Sequence, residues 1–266
     1  MRKILAMIRQ DALTRASYRF QAITSVLTLF GMLIPLYYVA RALDPIMQHT
    51  IRDQAPQYFA FVLLGVILLR FCYAIVYTLP NLFSTAIRSG TLEAMFATPT
   101  PLYVLVVGMT GFTVLWASGE ALIMLATGIL LGAHIVVSHV LPALMVLALV
   151  LLAYLSVALL GVSLVLAFRT TGPLLGGIML ATNLLGGVYY PTHVIPSWVR
   201  DLSTVLPMTY GLRAVRQTLL EGAPFGAIAS DVLVLGAMTV VLLPLSWTML
   251  QAALGYARKT GTLAQY

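Results

Sequence analysis

Two residues of opposite charge, Arg70 and Glu120, lie inside long apolar runs of this sequence. A charge at the centre of a bilayer costs about 3 kcal/mol or more, so ionisable residues within membrane spans usually pair with each other or line a cavity. Counted along helices at about 1.5 Å per residue, the two positions come to similar depths in neighbouring spans. We therefore predict an ion pair between them, within one subunit or across a dimer. Such a pair can hold the helices together, or it can contact a transported substrate.

The residue patterns of common enzyme sites are missing from the sequence. A nucleotide-binding loop of the P-loop type needs a lysine at the end of a glycine-rich stretch. The two lysines of this sequence, Lys3 and Lys259, do not lie in such a stretch. The patterns GxSxG, HExxH and CxxC do not occur. The four histidines lack the neighbouring carboxylates and thiols of a zinc site; they are His49, His134, His139 and His193. We expect no catalytic residue, and no metal or cofactor bound by this chain.

The composition explains where such charges must reside. Of the 266 residues, 61% are hydrophobic and only 9% are charged, whereas soluble domains carry about 25% charged residues. So little charge excludes an ordinary soluble enzyme, a disordered chain and a disulfide-linked scaffold. The sequence therefore predicts an all-α polytopic membrane protein that folds as a single transmembrane domain over residues 1–266.

Apolar stretches of about 20 residues, the length that crosses a bilayer, occur six times. The predicted spans are about 20–41, 58–80, 103–131, 140–168, 173–190 and 231–255. An even number places both termini on one side. With the N-terminus in the cytoplasm, nine basic residues fall on the inner side and five on the outer side, as the positive-inside rule requires. The net charge of +7 is then a sign of membrane orientation, and nucleic acid is not an expected partner.

Two segments on the inner side are predicted not to span. Residues 1–19 are basic and partly amphipathic, which favours a helix lying in the membrane interface. Residues 84–99 are too polar to cross the bilayer, and the prolines at their end favour a short helix that stops there. We expect the side chains of Leu92, Met95 and Phe96 to be exposed on that helix, where they would form an apolar patch for a partner. The alternative is a connecting loop that lies against the bundle.

The long outer segment at about 190–225 is divided by Pro191, Pro196 and Pro207. Its apolar residues have helical spacing, which predicts short amphipathic helices that dip into the outer leaflet rather than another span. Irregular backbone at membrane depth is tolerated only where protein or a water-filled cavity covers it. We therefore expect this re-entrant segment to pack within the bundle as a plug or gate. Glycine pairs at 176–177 and 186–187 bracket the fifth span and would permit bending.

Two of these segments resemble a known family. The run SGTLEAMFATP after the second span resembles the cytoplasmic loop of type-2 ABC exporter permeases. The run GGVYYPTHVIPSWVRDLSTVLPMTYGLRAVR before the last span resembles their outer re-entrant segment. The six spans, the basic N-terminal helix and the length also fit, so the resemblance covers essentially the whole chain. Within the family, the drug and lipo-oligosaccharide export branch is the most similar.

The resemblance implies a permease subunit that works with a second permease subunit, in a homodimer or heterodimer, and with two separate ATPase subunits. ATP and Mg²⁺ would bind to those partners, and membrane lipids would surround the spans. The inner loop would be the coupling helix, with contact candidates Gly90, Thr91, Leu92, Glu93 and Phe96. The outer gate would include Tyr189, Tyr190 and Pro191. The expected location is the plasma (inner) membrane of a bacterium or archaeon, with both termini cytoplasmic.

Two other functions remain open at this point. A secondary transporter or channel would use Arg70 and Glu120 directly, and inverted repeats or broken helices at mid-membrane would favour it. A non-transporting membrane scaffold would need no cavity. The function that the sequence favours over these two is export of an amphipathic, drug-like or lipid-linked compound, with the ATPase partner supplying the energy.

Overall fold

The computed structural model describes residue 9 and residues 19–51, 55–92, 100–136, 140–168, 170 and 172–259. Within these ranges the chain is helical and has no strand, so the all-α prediction is confirmed for them. The helices are α1 (Arg19–Ile51), α2 (Tyr58–Arg88), α3 (Leu102–Leu130), α4 (Val140–Phe168), α5 (Gly172–Leu185), α6 (Ser197–Ser203), α7 (Pro207–Leu219) and α8 (Phe225–Lys259). A single 3₁₀ turn covers Thr192–Val194. The interfacial helix predicted for 1–19 lies almost entirely outside the described residues.

Five of the described helices are long and apolar enough to cross a bilayer: α1, α2, α3, α4 and α8. Each has between 29 and 35 residues, and so exceeds about 40 Å at 1.5 Å per residue. They contain the predicted first, second, third, fourth and last spans. The chain is therefore a multi-pass membrane protein.

Helix α5 differs from the predicted fifth span at 173–190. It has 14 residues, or about 21 Å, which is short of the roughly 30 Å of a hydrocarbon core. The helix ends because Gly186 and Gly187 follow it, and Gly187 adopts a φ of 81°, a left-handed conformation that glycine readily accepts. Residues 186–190 continue the path without helical structure. Among the described residues there are thus five helices long enough to cross a bilayer and one further segment that is only partly helical.

The bundle has two ends, which contacts between helix ends and neighbouring residues identify. At the upper end, the Tyr58 backbone N–H donates to Asp44 Oδ1 (2.9 Å), and the Val136 N–H donates to the Leu219 carbonyl (2.7 Å). At the lower end, residues from α2, α3, α4 and α8 form a separate apolar cluster that includes Leu92. The long helices therefore alternate in direction, and α5 carries the chain back from the lower end towards Tyr58.

Helix α2 lies at the centre of the bundle. Twenty of its 31 residues are buried, and they contribute to both apolar clusters. Helix α1, in contrast, leaves most of its apolar side chains exposed, including Phe20, Leu27 and Tyr38. Exposed apolar residues suit a helix at the lipid-facing edge of a membrane protein. The buried side chains of α2 are therefore positioned by several neighbouring helices.

The re-entrant segment folds as the 3₁₀ turn followed by α6 and α7. Helix α7 begins with Pro207 in its first turn, where the missing N–H costs nothing, and packs inside the bundle. A Cβ atom on its Gly211 would lie 2.3 Å from Val150 Cγ2 of α4, which shows how closely the two helices approach. Helix α6 remains at the surface, where Trp198 is 73% exposed.

We predict that Gly161→Ala destabilises the bundle by about 1–3 kcal/mol, the usual range for overpacking. A Cβ atom at Gly161 of α4 would lie 2.6 Å from Leu175 Cδ1 and 2.8 Å from Pro80 Cγ. The measurement is the free energy of unfolding in mixed micelles, followed by tryptophan fluorescence. The matched control is Gly236→Ala on α8, where a Cβ meets no atom within 4 Å. This variant should unfold no more easily than wild type, because alanine favours helix. Equal destabilisation by the two variants would contradict the close packing at Gly161.

Candidate functional site

The structure brings Arg70 and Glu120 together within one chain. Arg70 Nη2 of α2 lies 2.7 Å from Glu120 Oε2 of α3. The indole Nε1 of Trp116, one turn earlier on α3, donates to the other carboxylate oxygen at 2.9 Å. Arg70 is about 18 Å below the start of α2 and Glu120 about 15 Å below the end of α3, at 1.5 Å per residue. The two residues therefore lie at similar depths, each in the middle third of its helix.

A cavity of about 500 Å³ opens beside this ion pair. Its wall includes both charged residues, Tyr73 of α2, Asn183 of α5 and Tyr189 of the segment after α5. The remaining lining is apolar and comes from α1 and α2: Met32, Val66, Leu69 and Ala74. The Arg70 side chain is 33% exposed and that of Glu120 is 16% exposed, so the pair is accessible from the cavity. An apolar cavity with a few converging polar groups is the usual form of a small-molecule site.

The predicted outer gate residues lie at the upper part of the same region. The Tyr58 hydroxyl donates to the Tyr189 carbonyl oxygen (3.0 Å), which ties the segment to the start of α2. The Tyr190 hydroxyl donates to the carbonyl of Leu184 (2.5 Å) and closes the loop back on α5. Pro191 is buried. Of the three, Tyr189 is the residue that shares a cavity with Arg70 and Glu120.

A buried guanidinium, that of Arg216 on α7, holds the residues just before this segment. From the sequence, Arg216 was expected only as one of the five outer basic residues. It is 2% exposed and donates to three main-chain carbonyls, those of Phe61 (3.0 Å), Gly187 (2.8 Å) and Val188 (3.0 Å). Its Cζ also lies 3.3 Å from the centroid of the Phe61 ring. Burial lowers the pKa of Arg216, because removal from water disfavours the charged form.

We call this set of contacts the Arg216 clasp: the guanidinium with the carbonyls of Phe61, Gly187 and Val188. It joins α7 to the first turn of α2 and to the end of α5. Gly65 of α2 leaves the necessary space, since a Cβ atom there would lie 2.5 Å from the Val188 carbonyl oxygen. The signal in the sequence was the position of residue 216, four residues after the apolar Leu212 and hence on the buried face of α7.

A further ion pair that sequence analysis missed joins α7 to α8. Arg213 Nε donates to Asp231 Oδ2 at 2.7 Å, and its Nη2 contacts Oδ1, so the pair is bidentate. Asp231 is buried, whereas Arg213 is largely exposed. Hydrogen bonding to Asp231 raises the pKa of Arg213. The pair fixes the outward end of the re-entrant segment to the last span.

The predicted coupling loop is described only in part. Gly90, with a φ of 67°, turns the chain after α2, and the hydroxyls of Ser89 and Thr91 are 2.9 Å apart. Leu92 is 1% exposed and belongs to the lower apolar cluster. Its predicted exposure is therefore wrong, because the side chain gains more by packing against the bundle than by remaining outside. Glu93, Met95 and Phe96 lie outside the described residues.

The described part of the chain contains no group of three or more His, Cys, Asp or Glu side chains that could hold a metal ion. His134 and His193 are exposed at the upper end, and Cys72 is buried in α2. The polar side chains described above, those of Arg70, Arg213 and Arg216, form hydrogen bonds and ion pairs.

Comparison with protein families gives a match over most of the chain. The model of the family described as ABC-2 type transporter matches residues 2–220. This range includes α1 to α7, and so contains the ion pair, the cavity and the Arg216 clasp. A comparison with curated proteins found no match.

We predict that Arg70 and Glu120 are energetically coupled. Arg70→Met and Glu120→Gln each leave a charge without its partner, whereas the double variant removes both charges. A double-mutant cycle on the free energy of unfolding in mixed micelles should give a coupling of about 0.5–3 kcal/mol. Arg88→Met, at an exposed arginine of α2, is the control and should show no coupling to Glu120→Gln. Additive effects of the two changes would contradict a stabilising pair.

We also predict that Arg216→Lys destabilises the protein by about 1–3 kcal/mol, because a lysine cannot present the planar fork of donors and leaves buried carbonyls unpaired. Gly65→Ala should act in the same direction by displacing Val188. The control is Arg200→Lys on α6, at an exposed side chain. Thermal unfolding of the three variants in one detergent tests this. Equal midpoints for Arg216→Lys and Arg200→Lys would show that the clasp contributes little.

Proposed function

Because this chain belongs to the ABC-2 type transporter family, as a transmembrane subunit of an ABC transporter, we propose that it forms the translocation path of an ATP-driven exporter. The observation that carries the proposal is the family match over residues 2–220, which includes the cavity beside Arg70 and Glu120. The exported compound would be amphipathic, drug-like or lipid-linked. Two separate ATPase subunits would bind ATP and Mg²⁺, and a second permease subunit would complete the path.

Energy would enter through the loop at 84–99. Glu93 and Phe96 would contact the ATPase subunit, while Gly90, Thr91 and the buried Leu92 attach the loop to the lower end of the bundle. Helix α2 runs from this loop directly to Arg70, over 18 residues or about 27 Å. A displacement of the loop would therefore be transmitted by a helix that touches both apolar clusters. ATP binding and hydrolysis would shift the bundle between inward-open and outward-open states, each favoured by a different ligand.

The outer gate would be the segment Tyr189–Pro191 together with the Arg216 clasp. Tyr58 holds Tyr189 against the start of α2, and Arg216 holds the preceding residues Gly187 and Val188 there. Release of the substrate to the outside would require these contacts to loosen. The gate and α2 would thus respond to the same movement.

The orientation proposed for this subunit follows from the basic residues. The lower end of the bundle, with Arg88 and Lys259, would face the cytoplasm, and the upper end would face outward. The path through α5 and residues 186–190 would supply the sixth crossing and bring both termini to the cytoplasm. The membrane would be the plasma membrane of a bacterium or archaeon.

A second function has one observation in its favour. The ion pair of Arg70 and Glu120 is accessible from a cavity, as it would be in a secondary transporter that binds its substrate or ion there. Such a protein would transport in the absence of any ATPase subunit. The experiment below distinguishes the two.

We predict that the chain co-purifies with a soluble ABC ATPase from the same organism when the two are co-expressed. Glu93→Arg should reduce the recovered ATPase by about tenfold, which corresponds to 1.4 kcal/mol, because it reverses a charge at the proposed contact. Phe96→Ala should also reduce recovery. The control is Asp201→Arg, which makes the same reversal on the exposed side of α6 at the other end of the bundle.

Reconstituted vesicles with the purified complex give the functional measurement. ATP-dependent transport, lost in Glu93→Arg and kept in Asp201→Arg, would support the exporter. Transport by the permease without an ATPase would instead favour the secondary transporter. No recovery of any ATPase and no difference between the two variants would overturn the proposal.

A further inference from the structure

We infer that the cavity beside Arg70 and Glu120 binds the uncharged polar part of an amphipathic molecule, a group that carries a hydroxyl or an amide. This inference rests on the proposed transport function and specifies the class of compound that the site accepts. It follows from three properties of the cavity: its net charge, its hydrogen-bonding groups and its apolar wall.

The net charge of the site is zero. Arg70 and Glu120 neutralise each other at 2.7 Å, and the second carboxylate oxygen accepts from Trp116 Nε1. A charged ligand group would therefore enter the middle of the membrane without a counter-ion of its own, which is unfavourable in a medium of low dielectric constant. An uncharged polar group avoids that cost. The ion pair thus selects against both anions and cations.

The site nevertheless offers hydrogen bonds of both kinds. Within the described residues, Glu120 is the hydrogen-bond partner of Arg70 through Nη2, and the guanidinium has five N–H donors. Its 33% exposure leaves donors available for a hydroxyl or carbonyl oxygen. Asn183 also lines the cavity, and its Oδ1 is buried and lacks a hydrogen-bond partner among the described residues.

The amide of Asn183 completes this arrangement. Because its terminal torsion is broad and roughly two-fold, rotation can turn either the oxygen or the NH₂ group towards a ligand. A ligand hydroxyl or amide both accepts and donates. It could therefore accept from Arg70 and donate to Asn183 at the same time. A ligand group that only accepts would bind Arg70 and leave the Asn183 oxygen unpaired, and a group that only donates would do the reverse.

The rest of the cavity suits an apolar portion of the same molecule. Val66 and Leu69 of α2 and Met32 of α1 line it, and Tyr73 stacks on Tyr77 with ring centroids 5.6 Å apart. The volume of about 500 Å³ lies within the roughly 300–1,000 Å³ of pockets that bind drug-sized ligands. Polar and apolar surfaces are thus both present, as an amphipathic molecule requires.

Photolabelling of the full chain in lipid nanodiscs tests the inference. The probe is decyl glucoside with a diazirine in its alkyl chain, and labelled peptides are mapped by mass spectrometry. We expect saturable labelling of α2 near Tyr73 and of α5 near Asn183. The competitors share one decyl chain and differ in the head group: decyl glucoside, decyl sulfate and decyltrimethylammonium. The uncharged competitor should displace the probe at a concentration at least about tenfold lower than either charged one, a difference of 1.4 kcal/mol.

A pair of variants adds a second measurement. Asn183→Leu should reduce saturable labelling by about tenfold, whereas Asn81→Leu, at an exposed asparagine of α2, should leave it unchanged. The competition series uses the wild-type chain, so it decides the question even if Asn183→Leu fails to fold.

Equal or better displacement by a charged competitor would overturn the inference, as would labelling that avoids the cavity. Since the assay contains no ATPase, a chain that recruits an ATPase but fails this test contradicts the inference alone. Labelling of the cavity without any ATPase association would contradict the exporter proposal instead.

Discussion

A charge within the hydrocarbon of a bilayer requires a partner from the protein itself, and the internal organisation of this chain follows from that requirement. Arg70 pairs with Glu120 on the neighbouring helix, and Asp231 pairs with Arg213. Arg216 donates hydrogen bonds to three main-chain carbonyls. The first two contacts join consecutive helices, and the third joins α7 to the start of α2, 155 residues earlier in the chain. In a protein whose surface and interior are both apolar, such contacts define which helix faces meet, because apolar packing alone is similar against lipid and against protein.

Helix α2 takes part in two of these three contacts. It carries Arg70 near its middle, provides the Phe61 carbonyl for the Arg216 clasp near its upper end, and continues into the loop at Gly90 at its lower end. Its burial in both apolar clusters leaves it little freedom to move independently. The lower loop, the cavity and the outer segment all contact this one helix. A displacement at one of them would therefore move α2, which gives a physical basis for coupling the two ends of the bundle.

Much of this arrangement was accessible from the sequence, because hydrophobicity and helical rise are local properties. They placed the long helices, and they put Arg70 and Glu120 at one depth. The Arg216 clasp was not accessible, since its acceptors are main-chain atoms, one of them 155 residues away, and main-chain carbonyls leave no trace in residue types. Asp231 was missed because it stands at the edge of an apolar run, where a charge can equally well face water. The early end of α5 depends on the left-handed conformation of Gly187, and the burial of Leu92 depends on a surface formed by four other helices.

The Arg216 clasp also bears on how such a segment can diversify. Because the guanidinium binds carbonyl oxygens, its hydrogen bonds do not depend on the side-chain types at positions 61 and 188. The restrictions come from the Phe61 ring, which lies 3.3 Å from Cζ of Arg216, and from two glycines: Gly65, whose missing Cβ makes room for the Val188 carbonyl, and Gly187, whose backbone conformation few other residues adopt. Side chains around the outer end of the cavity are thereby free to vary without loss of the frame that holds them. A new ligand specificity could arise there through a few substitutions, with the architecture of the membrane domain left intact.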